Sequence, residues 1–228
     1  MSAQLYFVTG SDTGVGKTVL TALLVGHLRK RGTAAAGLKP LSSGGRGDAR
    51  ILCAAAQGAL ELDEVNPWHF RTPLAPWLAA RRERKGVQLA DVIAQIRSLQ
   101  ERFDVLLIEG AGGLLSPLGE QFNARDLIAR LNATPLVVCP NRLGAINQTL
   151  LVLRALPRQT GRRTQVVLVS QGRENTATRA NRKALAALLG GSRVHLLPRL
   201  SDLRRIETVL GNRRVRRVLE AIVRQAGG

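Results

Sequence analysis

Cysteine is scarce in this 228-residue chain, which has only Cys53 and Cys139 and no Cys-x-x-Cys spacing. That excludes a disulfide framework and a cysteine-built metal site, and makes a reduced, cytoplasmic compartment the expectation. Aromatic residues make up 3% of the chain, too few for rows of base-stacking platforms. No apolar run approaches the roughly 20 residues needed to cross a bilayer, so no membrane contact is expected. The opening stretch, MSAQLYFVTG, has no basic region ahead of a long apolar one and does not read as a secretory signal. Acidic residues are few: 16 Asp and Glu stand against 34 Lys and Arg, leaving a net charge of +18. Lysine is rare as well. Only Lys17, Lys30, Lys39, Lys85 and Lys183 occur, and the other basic residues are dispersed arginines. Without aromatic partners, a helix-turn-helix signature or zinc-finger spacing, they read as a solvated basic surface. Any contact with nucleic acid is then expected to be nonspecific.

What the chain does have is regular alternation. Leu5 to Thr9 is a short apolar, β-branched run, and Val19 to Leu28 carries apolar residues at helical spacing, with Gly32 as its stop. Ala34 to Lys39 reads as a second strand. Val105 to Gly110, Pro135 to Pro140 and Gln165 to Ser170 are continuous apolar runs, the pattern of strands buried on both faces, and Val194 to Pro198 is a weaker one. Helical patterns fill the intervals at 49–57, 89–102, 124–131, 145–156, 178–189 and 213–225. Strand–helix alternation predicts an α/β fold, a mostly parallel sheet flanked by helices on both faces, in one domain over residues 1–228. Between Leu60 and Lys85, Pro67, Pro73 and Pro76 interrupt any regular element.

The strongest chemical signal is the run Gly10-Ser11-Asp12-Thr13-Gly14-Val15-Gly16-Lys17-Thr18, which follows a strand and opens a helix. Successive backbone N–H groups in such a turn converge on phosphate oxygens. The helix N-terminus adds partial positive charge. Lys17 reaches the β/γ-phosphates and the Thr18 hydroxyl ligates Mg²⁺. This is a P-loop with one residue more than the usual spacing. Glu109 ends an apolar strand and is followed by Gly110-Ala111-Gly112-Gly113. Ligands gather beyond the carboxyl ends of parallel strands, where a carboxylate can lie beside bound Mg²⁺. Lys39 ends the second strand ahead of a Ser/Gly loop that contains Ser43. Asp48, which follows that loop, reads on its own as the N-cap of a helix from Ala49. His27, His69 and His195 form no ligand pattern, and His27 reads as a helix-surface residue.

Together these pieces resemble the dethiobiotin synthase family, a group of P-loop enzymes of biotin synthesis. The resemblance rests on the Gly10 to Thr18 loop, Gly37-Leu38-Lys39-Pro40 with Ser43-Gly44, Asn66-Pro67, Glu109-Gly110-Ala111-Gly112-Gly113 and Leu143-Gly144-Ala145-Ile146-Asn147, in family order over about residues 5 to 150. The resemblance implies that one amine of 7,8-diaminopelargonate captures CO₂ as a carbamate. The carbamate attacks the ATP γ-phosphate to give a carbamic–phosphoric anhydride, and the second amine closes the ureido ring and expels phosphate. It implies that Lys17 and Lys39 are catalytic, stabilising charge in the transfer. Nucleotide binding falls to Gly14, Val15, Gly16, Lys17, Thr18, Glu109, Gly110, Ala111, Gly112 and Gln171. Thr18, Asp48 and Glu109 hold Mg²⁺, and Thr13 and Ser43 lie near the carbamate. Leu143, Gly144, Ala145 and Asn147 bind the substrate carboxylate from the second subunit of a homodimer. Gln171 stands where the family shows an Asn suited to reading adenine, so a relaxed base preference is expected.

Three other readings compete. A deviant-Walker positioning ATPase would share the fold and suit the net charge, but it resembles Lys-Gly-Gly-x-Gly-Lys-Thr at the loop, and Asp12 stands where its signature lysine belongs. A cobyrinate-type amidotransferase needs a glutaminase domain for which no length remains. A non-catalytic nucleotide-binding paralogue is opposed by intact Lys17, Lys39 and Glu109.

Overall fold

Where apolar residues run on without interruption, the backbone extends between two layers and both of its faces are buried. Val105–Glu109 and Thr134–Pro140 are buried at every position, as a parallel sheet covered on both sides requires. The computed structural model describes residues 3–161, 163–173, 175–191, 193–200 and 206–226. Among these residues the strands are β1 (Gln4–Gly10), β2 (Ala35–Leu38), β3 (Leu41–Ser43), β4 (Trp68–Phe70), β5 (Val105–Glu109), β6 (Pro117–Gly119), β7 (Phe122–Asn123), β8 (Thr134–Pro140), β9 (Gln165–Val169) and β10 (Val194–Leu197). The helices are α1 (Lys17–Lys30), α2 (Gly47–Ala55), α3 (Leu62–Val65), α4 (Pro76–Arg82), α5 (Leu89–Ser98), α6 (Ala124–Leu131), α7 (Ala145–Ala155), α8 (Thr176–Leu188), α9 (Ile206–Gly211) and α10 (Arg213–Ala226).

Six strands form one sheet in the order β10-β9-β8-β1-β5-β2, every pair parallel. α1 packs against α2, α9 and α10, while α5 meets α6 and α7 meets α8. The right-handed crossover rule assigns these two groups to opposite faces of a sheet in this order. The helices are held by apolar stripes. In α10, Val215, Leu219 and Ile222 recur at helical spacing and are fully buried, each contributing about 1.5–3 kcal/mol by leaving water. The exposed side of the same helix carries Arg213, Arg214, Arg216, Arg217 and Arg224. Local signals fix the ends. Asn123 caps α6 by accepting a hydrogen bond from the Arg125 amide, and the Asn123 amide in turn donates to the Asp126 carboxylate. Such a reciprocal cap satisfies two orphan donors.

Register delivers the chemistry. β5 lies between β1 and β2, with Val8 opposite Glu109 and Leu38 opposite Ile108. Glu109 and Lys39 therefore leave the sheet side by side, next to the loop that leaves β1 at Gly10.

Some expectations are corrected. The helix read as starting at Ala49 starts at Gly47, and Arg46 occupies the position before it, so Asp48 lies in the first turn rather than capping it. The pattern read to Arg102 ends as a helix at Ser98. Pro76 does not break an element. It opens α4, where its missing N–H costs nothing. His27 is 6% exposed rather than on the surface, and burial lowers its pKa from the ordinary value. No helix among the described residues is long and apolar enough to cross a membrane.

Candidate nucleotide and phosphoryl-transfer site

The Gly10 to Thr18 loop leaves β1 and closes into α1. Gly16, at φ +103°, makes the turn into the helix, a left-handed backbone that favours glycine. No side chain caps α1, and no acid stands in its first turn. The amides at its positive end are left free to meet an anion. Lys17 is buried, and its ammonium donates to the Asp12 carbonyl at 2.8 Å. Burial pushes its pKa down to about 8, against the opposing pull of Glu109.

Glu109 is 1% exposed and anchors the site. Its Oε1 accepts from Thr18 Oγ1 at 2.7 Å and from Lys39 Nζ at 2.7 Å. Its Oε2 is buried without a hydrogen-bond partner. Lys39 Nζ also donates to Asp48 Oδ2 at 2.6 Å. Burial pulls the Lys39 ammonium toward neutrality, but Glu109 and then Asp48 outweigh it and hold its pKa above the usual lysine value. A buried ion pair of this kind is a poor source of net stability, and its position in a cleft marks a functional site.

The cleft has a volume of about 680 Å³. One side is polar, formed by Thr13, Lys17, Thr18, Lys39, Asp48 and Glu109; the other is apolar, formed by Ile51, Pro73, Leu74 and Pro76. Ser43 lies on the rim, its hydroxyl donating to the Leu74 carbonyl. The donor set fits Mg²⁺. The Thr18 hydroxyl and the carboxylates of Glu109 and Asp48 are hard oxygen ligands, and Glu109 Oε2 has no other partner. No group of three or more His, Cys, Asp or Glu occurs among the described residues. Mg²⁺ typically needs only one or two carboxylates when phosphates supply the rest.

The structure brings together Thr13, Gly14, Gly16, Lys17, Thr18, Lys39, Ser43, Asp48, Glu109, Ala111 and Gly112. Val15 is buried in the core, and Gly110 sits behind the cleft against Phe7. Gln171 is exposed beyond β9 and outside the cleft walls. Leu143, Gly144, Ala145 and Asn147 also lie outside the walls. Gly144, at φ +90°, starts α7, Leu143 is 85% exposed, Ala145 is buried and Asn147 is exposed. Sequence reading missed the apolar wall and gave no role to Arg46 or Asn66. The prolines were the available signal for the wall, because Pro73 and Pro76 shape it.

A twisted parallel sheet with a glycine-rich loop running from its first strand into a helix defines a P-loop nucleotide-binding protein. Solved structures with this architecture include a ParA family ATPase from Chlorobium tepidum TLS (TM-score 0.59, 10% identity, 97% of this chain and 99% of that one). A second is pNOB8 ParA bound to nonspecific DNA (TM-score 0.62, 14% identity, 99% of both chains). At such identities the likeness concerns the fold alone. A family model described as an AAA domain matches residues 4–207. The ATP-dependent dethiobiotin synthetase of Anaeromyxobacter dehalogenans (strain 2CP-C) is 39% identical over 211 residues, covering 90% of this chain and 95% of the relative. That of Methanocaldococcus jannaschii is 36% identical over 170 residues, covering 73% and 79%. The chain belongs to the dethiobiotin synthetase family.

Proposed function

We propose that the chain makes dethiobiotin from 7,8-diaminopelargonate, CO₂ and ATP, closing the ureido ring as an ATP-dependent ligase. The observation that carries this reading is the Lys39 ammonium, buried beside the phosphate loop and shared by Asp48 and Glu109. A carbamate and a γ-phosphate are both anions, and bringing them together requires cations fixed in advance. Lys17 holds the β/γ-phosphates. Lys39 meets the charge that develops as the carbamate oxygen attacks phosphorus. Thr13 and Ser43 orient the carbamate, and the Ile51–Leu74 wall takes the alkyl chain of the substrate. Gly14, Val15, Gly16 and the Glu109 to Gly112 turn cradle the nucleotide with backbone, and Gln171, beyond β9, is the residue assigned to the base.

Mg²⁺, when bound, would neutralise phosphate charge. Thr18, Asp48 and Glu109 are the residues that would hold it.

The reading includes a homodimer. Asn147 and Leu151, four residues apart, share the outer side of α7, and Leu143 stands in the turn just before it; Leu143 and Leu151 are 85% and 60% exposed. A second copy covering this face would bring Leu143 to Asn147 to the substrate carboxylate, with Gly144 and Ala145 forming the helix start there. The Ala145 amide already donates to the Arg142 carbonyl at 3.1 Å, which leaves Gly144 to offer its amide. The unpaired cysteines, Cys53 and Cys139, suit a reducing cytoplasm.

Incubation of the purified protein with diaminopelargonate, bicarbonate, Mg²⁺ and ATP should yield dethiobiotin by mass. Its absence with a folded, nucleotide-binding protein refutes the reading. For the dimer, a Lys17→Ala subunit mixed with an Asn147→Ala subunit should recover activity in heterodimers. Heterodimers that form but stay inactive refute the shared site.

A further inference from the structure

Lys39 is held from both ends. Its ammonium is fixed by Asp48 and Glu109, and its main chain is fixed by one short segment 26 to 27 residues later. The Lys39 amide donates to the Val65 carbonyl at 2.9 Å. The Lys39 carbonyl accepts from Asn66 Nδ2 at 2.7 Å. Asn66 is 1% exposed, and every polar group of its side chain has a partner. Its Oδ1 accepts from Ser42 Oγ at 2.9 Å and from Arg46 Nε at 3.2 Å.

Arg46 completes the clamp. Its Nη2 donates to the carbonyls of Leu62 and Asn66, both at 2.9 Å, and its Nη1 meets Asp63 at 2.7 Å. Arg46 immediately precedes α2, the helix that carries Asp48. One guanidinium therefore ties the start of α2 to the 62–66 segment, and Asn66 ties that segment to Lys39. The two partners of the Lys39–Asp48 bond hang from the same anchor. A planar fork with five donors suits this work, because it fixes direction as well as distance.

We propose that Asn66, braced by Arg46, is a positioning residue that sets where the Lys39 ammonium stands between Asp48, Glu109 and the transferred phosphoryl group. The inference rests on the phosphoryl-transfer reading for its kinetic consequence, but not for its structural one. Phosphoryl transfer depends on placement, and a displacement of about 1 Å can cost about 10²-fold in rate. The clamp touches neither the phosphate loop nor α1, so nucleotide affinity should be untouched.

The test has two arms. In the first, Lys39 acylation by an N-hydroxysuccinimide ester is followed by mass spectrometry in wild type, Asn66→Asp and Asn66→Ala, with no substrate present. Asn66→Asp keeps the acceptor for Ser42 and Arg46 but loses the donor to Lys39. Labelling of Lys39 should rise several-fold in both variants, while Lys17 and the exposed Lys85 label as in wild type. Unchanged Lys39 labelling overturns the proposal. A rise shared by Lys17 reports loosening of the whole site and overturns it too. Where Asn66→Ala fails to fold, Arg46→Lys replaces it, keeping charge near Asp63 but losing the fork.

The second arm is a cycle of Asn66→Ala, Lys39→Ala and the double variant, read as kcat for dethiobiotin formation beside nucleotide Kd. Asn66→Ala should lose about 10–100-fold in kcat with nucleotide Kd within threefold. In the Lys39→Ala background it should cost less than threefold more, because its target is already gone. Losses that multiply show a general structural role and overturn the proposal. If wild type makes no dethiobiotin while the labelling responds as expected, the functional reading fails and the positioning role stands.

Discussion

The two flanks of the sheet handle charge in opposite ways. On the β1-β5-β2 side, charged groups are taken out of water and satisfied by one another. Lys39 is 7% exposed between two carboxylates, and Glu109 carries two donors on one oxygen and none on the other. On the β9-β10 side, the buried polar groups are neutral and the charges stay in solvent. His195 is buried, its Nε2 2.9 Å from Gln165 Oε1, and burial together with Arg182 depresses its pKa to about 4. The exposed side of α10 carries arginines whose only ion pair among the described residues joins Arg224 to Glu220. A buried charge is retained where a reaction uses it, because it contributes little net stability. A solvated arginine can be gained or lost at little cost. The net charge of +18 therefore says less about function than the few charges that are hidden.

The comparison is tested most severely at Lys39. Lys39→Ala should lower kcat by about 10²–10³, the usual loss for one preorganised charge, with nucleotide Kd little changed. Lys17→Ala should damage both, because Lys17 meets the phosphates before and during transfer. Calorimetric Kd beside steady-state kcat separates the two. A Lys39→Ala enzyme with wild-type kcat and only a raised diaminopelargonate KM would remove the transition-state role.

A smaller effect is expected on the other flank. The folded-state pKa of His195 lies below its unfolded value, so the unfolded chain binds the proton more readily. Stability from this residue is complete above about pH 6.5 and is lost as pH falls toward 4, by on the order of 3 kcal/mol in all. His195→Gln can keep a donor to Gln165 and should flatten that part of the pH–Tm curve relative to wild type. Parallel curves would mean that His195 is not held neutral.

Gln171 should matter less. It is exposed and outside the cleft walls, so ATP should exceed CTP and GTP by less than about a hundredfold in kcat/KM, equivalent to about 2.7 kcal/mol. A larger ratio would make Gln171, or a neighbour, a true reader of adenine. The least effect is expected from Arg216→Gln with Arg217→Gln, whose unfolding free energy should stay within about 0.5 kcal/mol of wild type. Any DNA retention should be lost at physiological salt, because phosphate contacts are screened. Binding at one defined sequence in that salt would reverse the reading of the basic surface.

The sequence made the scaffold legible where a single physical demand wrote a long signal. Val105–Glu109 and Thr134–Pro140 are buried on both faces and could only read as strands of a covered sheet. The loop from Gly10 to Lys17 announces itself by its glycines. Lys39 and Glu109 were visible as polar residues at the ends of apolar strands, where the sheet must present them. The three-residue strands β3 and β4 were not visible, because three residues carry no period. His27 was misread because α1 is buried around much of its circumference, with Val25 and Leu28 on either side of it equally hidden, so spacing could not show which way His27 faced. Arg46 and Asn66 were invisible as a pair because 20 residues separate them, and much of the clamp runs to main-chain carbonyls, those of Leu62, Asn66 and Lys39, which leave no mark in a sequence.

The order of the strands has a consequence for the chain as it is made. β1 and β2 are synthesised first, yet they do not pair with each other, because β5 occupies the place between them. Some 67 residues separate Leu38 from Val105 in the chain. At about 5–20 residues per second on the ribosome, an empty slot flanked by unpaired apolar strands persists for several seconds. The strand that fills it brings Glu109, so the enzyme cannot join β1 to β2 through β5 without also delivering the carboxylate to Thr18 and Lys39. Filling that slot and assembling the site are one event, and a nascent chain stopped short of Glu109 is both sticky and inert.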